Sequence, residues 1–187
     1  SLTLYEGQLS NVSTAYHDWE ISAWEENGKS RAKEYTRPVT SVDADHLKPG
    51  QDIDFAPLDF RLIVGSYYRN AEAYAAGRGP SGVLNASGID HLQSSDLEKE
   101  PEKNTPGGTF KVQTKTGDSF DILLYGGESS PLTFKVGGKS YHVMLRQARY
   151  PLPFTLKLID FMMEEHPGTQ TPRSFKSLVA IENNNAW

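Results

Sequence analysis

The residues of this 187-residue chain that could do chemistry are thinly spread. Its five histidines, His17, His46, His91, His142 and His166, lie far apart. No two have the i, i+2 or i, i+4 spacing that sets imidazoles on one face of a strand or helix, as a local metal site requires. The tightest cluster is Glu164-Glu165-His166. In a strand, Glu164 and His166 share a face, which suits an exposed metal or haem-iron contact, and the same residues suit a solvated strand end entering a turn. There is no cysteine. That excludes thiol catalysis, disulfides, thiolate metal sites and haem held covalently on a C-x-x-C-H motif. No Gly-x-Ser-x-Gly elbow, P-loop or dinucleotide fingerprint is present. Gly77-Arg78-Gly79-Pro80 is rich in glycine, but its proline removes an N–H that a phosphate cradle would use. The sequence therefore offers no catalytic residue and no metal ligand set, and the reading is of a protein that is not an enzyme.

Aromatic residues are the next candidates for binding. Trp19, Trp24, Tyr67, Tyr68, Tyr74 and Tyr150 exceed what alternating core positions would take inside. Those left outside could stack on a planar or carbohydrate ligand, or pack at strand edges. His142 sits mid-strand between Tyr141 and Val143 and reads as an outward-facing side chain. Asn11-Val12-Ser13 and Asn85-Ala86-Ser87 match the N-glycosylation pattern, which has meaning only in an organism that glycosylates. A net charge of −5 gives no electrostatic reason to expect nucleic acid or an anionic membrane as partner.

The elements that must position these residues are mainly strands. A hydrophobic content of 37% with 16 Gly and 11 Pro suits a loop-rich β protein. Trp19, Ile21 and Ala23 alternate, and Asn27-Gly28 marks a hairpin tip with Arg31–Val42 as return strand. Leu58–Tyr68 carries Phe60, Leu62 and Val64 on one face. Phe110 and Val112, then Phe120, Ile122 and Leu124, then Leu132, Phe134 and Val136, continue the period-2 pattern. Gly137-Gly138 is the strongest hairpin signal, with Tyr141, Val143 and Leu145 beyond it. Two short helices are expected, one over Asn70–Ala76 and one turn at the capping-box match Ser95 and Glu98. Otherwise residues 77–108 read as a long surface loop.

The most ordered stretch is Tyr150–Ile181. Phe154, Leu156 and Leu158 alternate with polar residues, and then Phe161 and Met163 fall on the opposite parity. One extra residue near Ile159–Asp160 would restore a single face, so the pattern predicts a β-bulge there. A turn at His166–Pro172 leads to a second strand from Arg173. Phe175, Val179 and Ile181 share its parity and are expected to pack against the first.

The whole chain, 1–187, is expected to be one β-rich domain, an antiparallel β-sandwich or partly open barrel. Sub-modules 1–76 and 109–187 would be joined by the loop-rich 77–108. Leu4-Tyr5-Glu6-Gly7 resembles Leu124-Tyr125-Gly126-Gly127, and Pro57–Leu62 resembles Pro151–Leu156 in the same order, the pattern of a duplicated β unit or of coincidence among alternating strands.

The stretch from Leu152 also carries a family resemblance. Leu152, Pro153, Phe154, Asp160, Phe161, Glu164, Pro172, Ser174, Phe175 and Ser177 match the pattern of the ResB (CcsB) family of cytochrome c biogenesis proteins, over about a sixth of the chain. The family's transmembrane helices are missing, as is the segment that usually follows this hairpin. The chain accordingly resembles an extracytoplasmic (periplasmic) domain cut from its membrane anchors. Such proteins work with a CcsA-like membrane partner, sometimes fused to them, in the System II pathway that carries haem across the membrane and attaches it to apocytochrome c. The resemblance implies a non-catalytic role in presenting apocytochrome c or shaping the complex. No cofactor is implied in this fragment, because haem is handled by the parent complex. The competing class is a lipocalin-like or carbohydrate-binding β module of a secreted or surface protein. A metal-dependent hydrolase would need histidines and carboxylates from distant segments to converge.

Overall fold

The computed structural model describes residues 9–28, 33–40, 47–75, 82–165 and 172–183. The chain is mainly β, with several antiparallel sheets that do not close into a barrel, as a β-sandwich requires. One five-stranded sheet holds β1 (Leu9–Glu25), β2 (Tyr35–Thr40), β10 (Leu132–Val136), β11 (Lys139–Glu165) and β12 (Pro172–Asn183), in the order β10-β11-β1-β2 with β12 paired to β11. The other holds β3 (Asp52–Asp54), β4 (Phe60–Tyr68), β6 (Val83–Leu84), β8 (Gly107–Thr114) and β9 (Ser119–Tyr125), in the order β3-β4-β8-β9-β6. Only the β6–β9 pair is parallel among the pairings described. A small third sheet pairs β5 (Ala71–Tyr74) with β7 (His91–Ser94).

The alternation does what it predicts. Phe60, Leu62 and Val64 of β4 lie in register with Thr114, Val112 and Phe110 of β8. Phe110 and Val112 in turn face Ile122 and Phe120 of β9. All but Phe120 and Thr114 belong to the buried core, and Phe120 packs against it. Leu132, Phe134, Tyr141, Val143 and Leu145 supply the facing layer with Ile21, Ala23 and Val39. The layers interlock through aromatic rings. Phe60 meets Phe134 and Tyr141 edge-on, each with centroids 5.2 Å apart, and Phe120 meets Phe134 at the same distance. Edge-to-face contact lets the positive rim of one ring meet the negative face of the next, which adds about 0.5–1.5 kcal/mol per pair beyond simple burial.

Two irregularities set which side chains reach that core. Val64 pairs with Phe110 but Ser66 with Thr109, so Gly65 is an extra residue. The bulge switches parity and turns Tyr67 inward. A Cβ on Gly65 would lie 3.0 Å from Thr109 Oγ1, so a larger residue would crowd the strand that it bulges from. Gly137 and Gly138 form the expected hairpin turn with φ of 57° and 82°. Consecutive positive φ values match the twist of the flanking strands and exclude most residues with a Cβ.

Several expectations are corrected. The helix expected over Asn70–Ala76 does not form at its described residues, since residues 71–74 are β5, with Ala71 opposite Ser94 and Tyr74 opposite His91. So short a helix could not repay its nucleation cost, whereas a ready partner strand repays each residue with ladder bonds. No helix starts at Ser95. Glu98 N donates to Asn104 Oδ1 at 2.8 Å, and a 3-10 turn lies at Pro101–Lys103, where proline suits the first position. Within 77–108 the described residues include β6, β7, that turn and the start of β8, so the segment is not a plain loop.

β1 and β2, which flank Asn27-Gly28, do pair antiparallel, with Ala23 opposite Tyr35, while residues 31–32 and 41–42 of the expected return strand lie outside the described residues. The two runs read separately after Gly138 are one 27-residue strand, β11. Leu4–Gly7, and with it half of the duplication argument, lies outside the described residues.

The chain clusters into two compact units, Tyr16–Ala148 and Ser1–Ala15 with Arg149–Trp187. In the second, the predicted hairpin and its bulge are present. Leu158 pairs with Val179 and Asp160 with Leu178, leaving Ile159 as the extra residue. The register then puts Leu156, Leu158, Phe161 and Met163 on one face with Ile181, Val179, Ser177 and Phe175. The expected burial is corrected at Val179 and Ile181, which are 44% and 65% exposed. Pairing aligns a face but supplies no second layer to cover it.

Candidate functional site

The most chemically loaded region is the face of the β1–β11 pair turned away from the core. Glu26 N donates to Ser140 O at 2.9 Å, Trp24 stacks on His142 and Glu20 meets Arg146, three contacts of one antiparallel register. Alternation therefore sets Glu20, Ser22 and Trp24 beside His142, Met144 and Arg146.

Arg146 is the centre of this face. Its Nε donates to Glu20 Oε2 at 3.1 Å, and one terminal nitrogen reaches Glu20 Oε2 at 3.0 Å and Glu34 Oε2 at 2.6 Å. Ser22 Oγ donates to the same Glu34 oxygen at 3.4 Å. Arg146 and Glu20 are only 7% and 8% exposed, and Ser22 is fully buried. Burial alone would pull the guanidinium pKa down, but the hydrogen bond and charge of Glu34, with those of Glu20, more than reverse it and leave it raised. The cation is permanent and cannot serve as an acid. Its effect is to pin Glu34, ahead of β2, over β1.

Further along the face, the Trp24 and His142 rings stack at 5.4 Å. His142 Nδ1 is hydrogen-bonded to Thr133 Oγ1 at 2.8 Å, and its Nε2 lies 3.7 Å from Glu26 Oε2. His142 does face outward as expected, but it is held rather than free.

Two other polar nodes flank the sandwich. Tyr141 donates to Asp59 Oδ2 at 3.2 Å, and Lys115 and Lys139 lie 3.5 and 3.7 Å from the two Asp59 oxygens. Burial, then the negative charge of Asp59, raises the Tyr141 pKa, so the phenol stays a donor. At the second node, Asn85 Nδ2 donates to Leu123 O at 2.9 Å and Glu128 Oε1 at 2.6 Å. Its Oδ1 accepts from Ser87 N and Ile89 N. Both hydrogens of the Asn85-Ala86-Ser87 acceptor nitrogen are thus engaged in the folded chain. Burial raises the Glu128 carboxyl pKa, against the lowering effect of the Asn85 and Ser87 hydrogen bonds.

The aromatic candidates divide. Trp19 and Tyr67 are core, Tyr74 and Tyr150 are exposed, and Trp24 is half-buried. Tyr74 stacks on His91, whose Nδ1 lies 2.7 Å from Asp90 Oδ1, and Tyr74 also donates to Glu72. His46, His166, Gly77–Pro80 and the side chains of His17, Asn11, Glu164 and Glu165 lie outside what is described. Among the described residues, no group of three His, Asp or Glu could hold a metal ion, and no helix is long and apolar enough to cross a membrane.

The sequence reading missed the Arg146 triad. Glu34 and Glu20 lie 112 and 126 residues from Arg146, and the only signal was a charge at an outward position of β1 and of β11. No protein-family model matches the chain, and no curated protein matches it.

Proposed function

We propose that this chain is the extracytoplasmic domain of a ResB-like (CcsB) protein acting in System II cytochrome c biogenesis. The observation that carries this reading is the arrangement of the resembling residues. Leu152, Pro153, Phe154, Asp160, Phe161 and Glu164 lie on β11, and Pro172, Ser174, Phe175 and Ser177 on β12. Across the ladder Phe161 is opposite Ser177 and Glu164 opposite Ser174. The two halves of the pattern form one unit, which composition alone would not produce.

In this role the domain is non-catalytic. It lies on the periplasmic side of the membrane beside a CcsA-like partner, and it presents apocytochrome c or shapes the complex in which the parent assembly handles haem. The test is complementation. Deleting the parent gene should abolish haem-stained c-type cytochromes, and the full-length gene should restore them. A Phe161→Asp version, present at normal level, should restore few. Normal cytochrome c maturation in the deletion strain would overturn the proposal.

A second reading, a ligand-binding β module of a secreted or surface protein, draws on an open groove of about 470 Å³ walled by Ile63, Val64, Val83 and Phe110. It predicts that maturation is indifferent to the gene, the outcome that sinks the first reading.

A further inference from the structure

We propose that the outer edge of β12 is a homodimer interface, at which two copies of the chain pair antiparallel about Val179. β12 is hydrogen-bonded to β11 on one side, and among the described residues no strand pairs with its other side. A strand with one open edge offers a row of N–H and C=O groups to any matching strand. This edge is also apolar where it is open. Leu178 is 57%, Val179 44% and Ile181 65% exposed.

The charges indicate which strand matches. On the β11 side, Lys176 is opposite Met162 and Glu182 opposite Thr155, both neutral. A second β12 laid antiparallel about Val179 sets Lys176 of one copy opposite Glu182 of the other, twice by symmetry. The same register puts Val179 against its own counterpart and Leu178 against Ala180. A two-fold interface must be self-complementary, and this sequence is so in charge and in apolar character. The result is a continuous β11-β12-β12-β11 ladder with no open edge at its centre. This pairing does not depend on the biogenesis role.

The test is sedimentation of the whole chain across about 1–100 µM, with far-UV circular dichroism as a fold control. The wild type should show a concentration-dependent dimer. Lys176→Glu should weaken it by on the order of tenfold, since both symmetric pairs become like-charged. Glu182→Lys should do the same, and the double exchange should recover wild-type association. A wild type that stays monomeric overturns the proposal. So does a dimer that either single exchange leaves intact, or one that the double exchange fails to rescue.

Discussion

The six-membered ring of Trp19 occupies the space where a side chain on Gly126 would begin. A Cβ there would lie 2.6 Å from Cζ3 and 2.8 Å from Cη2 of the indole, with Pro106 Cδ at 3.2 Å. Trp19 comes from the sheet of β1 and Gly126 directly follows β9, so the absence of one methyl group lets the two sheets meet at this end. Gly126→Ala should destabilise the protein by about 1–3 kcal/mol through overpacking, read as a lower urea midpoint with unchanged slope. The cost should shrink when Trp19 is first replaced by Leu. Equal cost in both backgrounds would show that the two residues do not interact.

Arg146→Met should cost about 3 kcal/mol or more, because it leaves Glu20 as a buried carboxylate without its cation. Replacing Arg146 and Glu20 together by Met and Leu should recover most of that loss. A single variant within about 0.5 kcal/mol of wild type in a denaturant titration would mean that the triad contributes nothing.

Tyr141→Phe removes one hydroxyl and keeps the ring that packs on Phe60, so the expected loss is about 1 kcal/mol. A difference titration at 295 nm between wild type and variant isolates this phenol. Its ionisation should lie above the ordinary tyrosine range. Folding holds the proton on, so the stabilisation is complete below that range and is lost as pH climbs through it. A Tyr141 that ionises with the exposed tyrosines would contradict the Asp59 contact.

Glu128 has the same sign at lower pH. Its folded pKa is raised by burial, so the folded state holds its proton more tightly than the unfolded chain. The associated stability is present below the ordinary carboxylate range and is lost as pH rises through the folded pKa. Glu128→Gln keeps an acceptor for Asn85 and cannot ionise. It should therefore be more stable than wild type by about 0.5 kcal/mol near pH 7, allowing for solvent screening, and equal to it near pH 3. Thermal melts at the two pH values decide it. A variant less stable than wild type at neutral pH would show that the charged form is the one the site favours.

Ile159 is the bulge residue, and its side chain is 48% exposed. Ile159→Thr should change stability by less than about 0.5 kcal/mol. Deleting the residue should do far more, because Phe161 and Met163 would move to the opposite face of the ladder. Hydrogen exchange over β11 and β12 reads the difference. A deletion as well protected as the substitution would mean that the register beyond the bulge is not fixed.

Much of the fold was legible in the residues. The parity break between Leu158 and Phe161 required an extra residue, and Ile159 is that residue. Gly137-Gly138 could serve little but a tight turn, and the strands on either side pair in register. The site was far less legible. Residues 71–74 looked helical by composition and became a strand because His91–Ser94 lay alongside. Val179 and Ile181 had the pattern of a buried face and lie open.

The sequence by itself determined the main strands of the sandwich core and their inward faces, the tight turn and the bulge, but neither β5 nor β7. These follow from alternation, backbone sterics and parity, which act between near neighbours in the chain. Only the tertiary structure decided that Glu20, Glu34 and Arg146 share one charge cluster, that Asn85 is tied to Glu128, and that Trp19 fits above Gly126. Those contacts depend on which strand becomes whose neighbour, a choice set by the total burial of both sheets and by no local pattern.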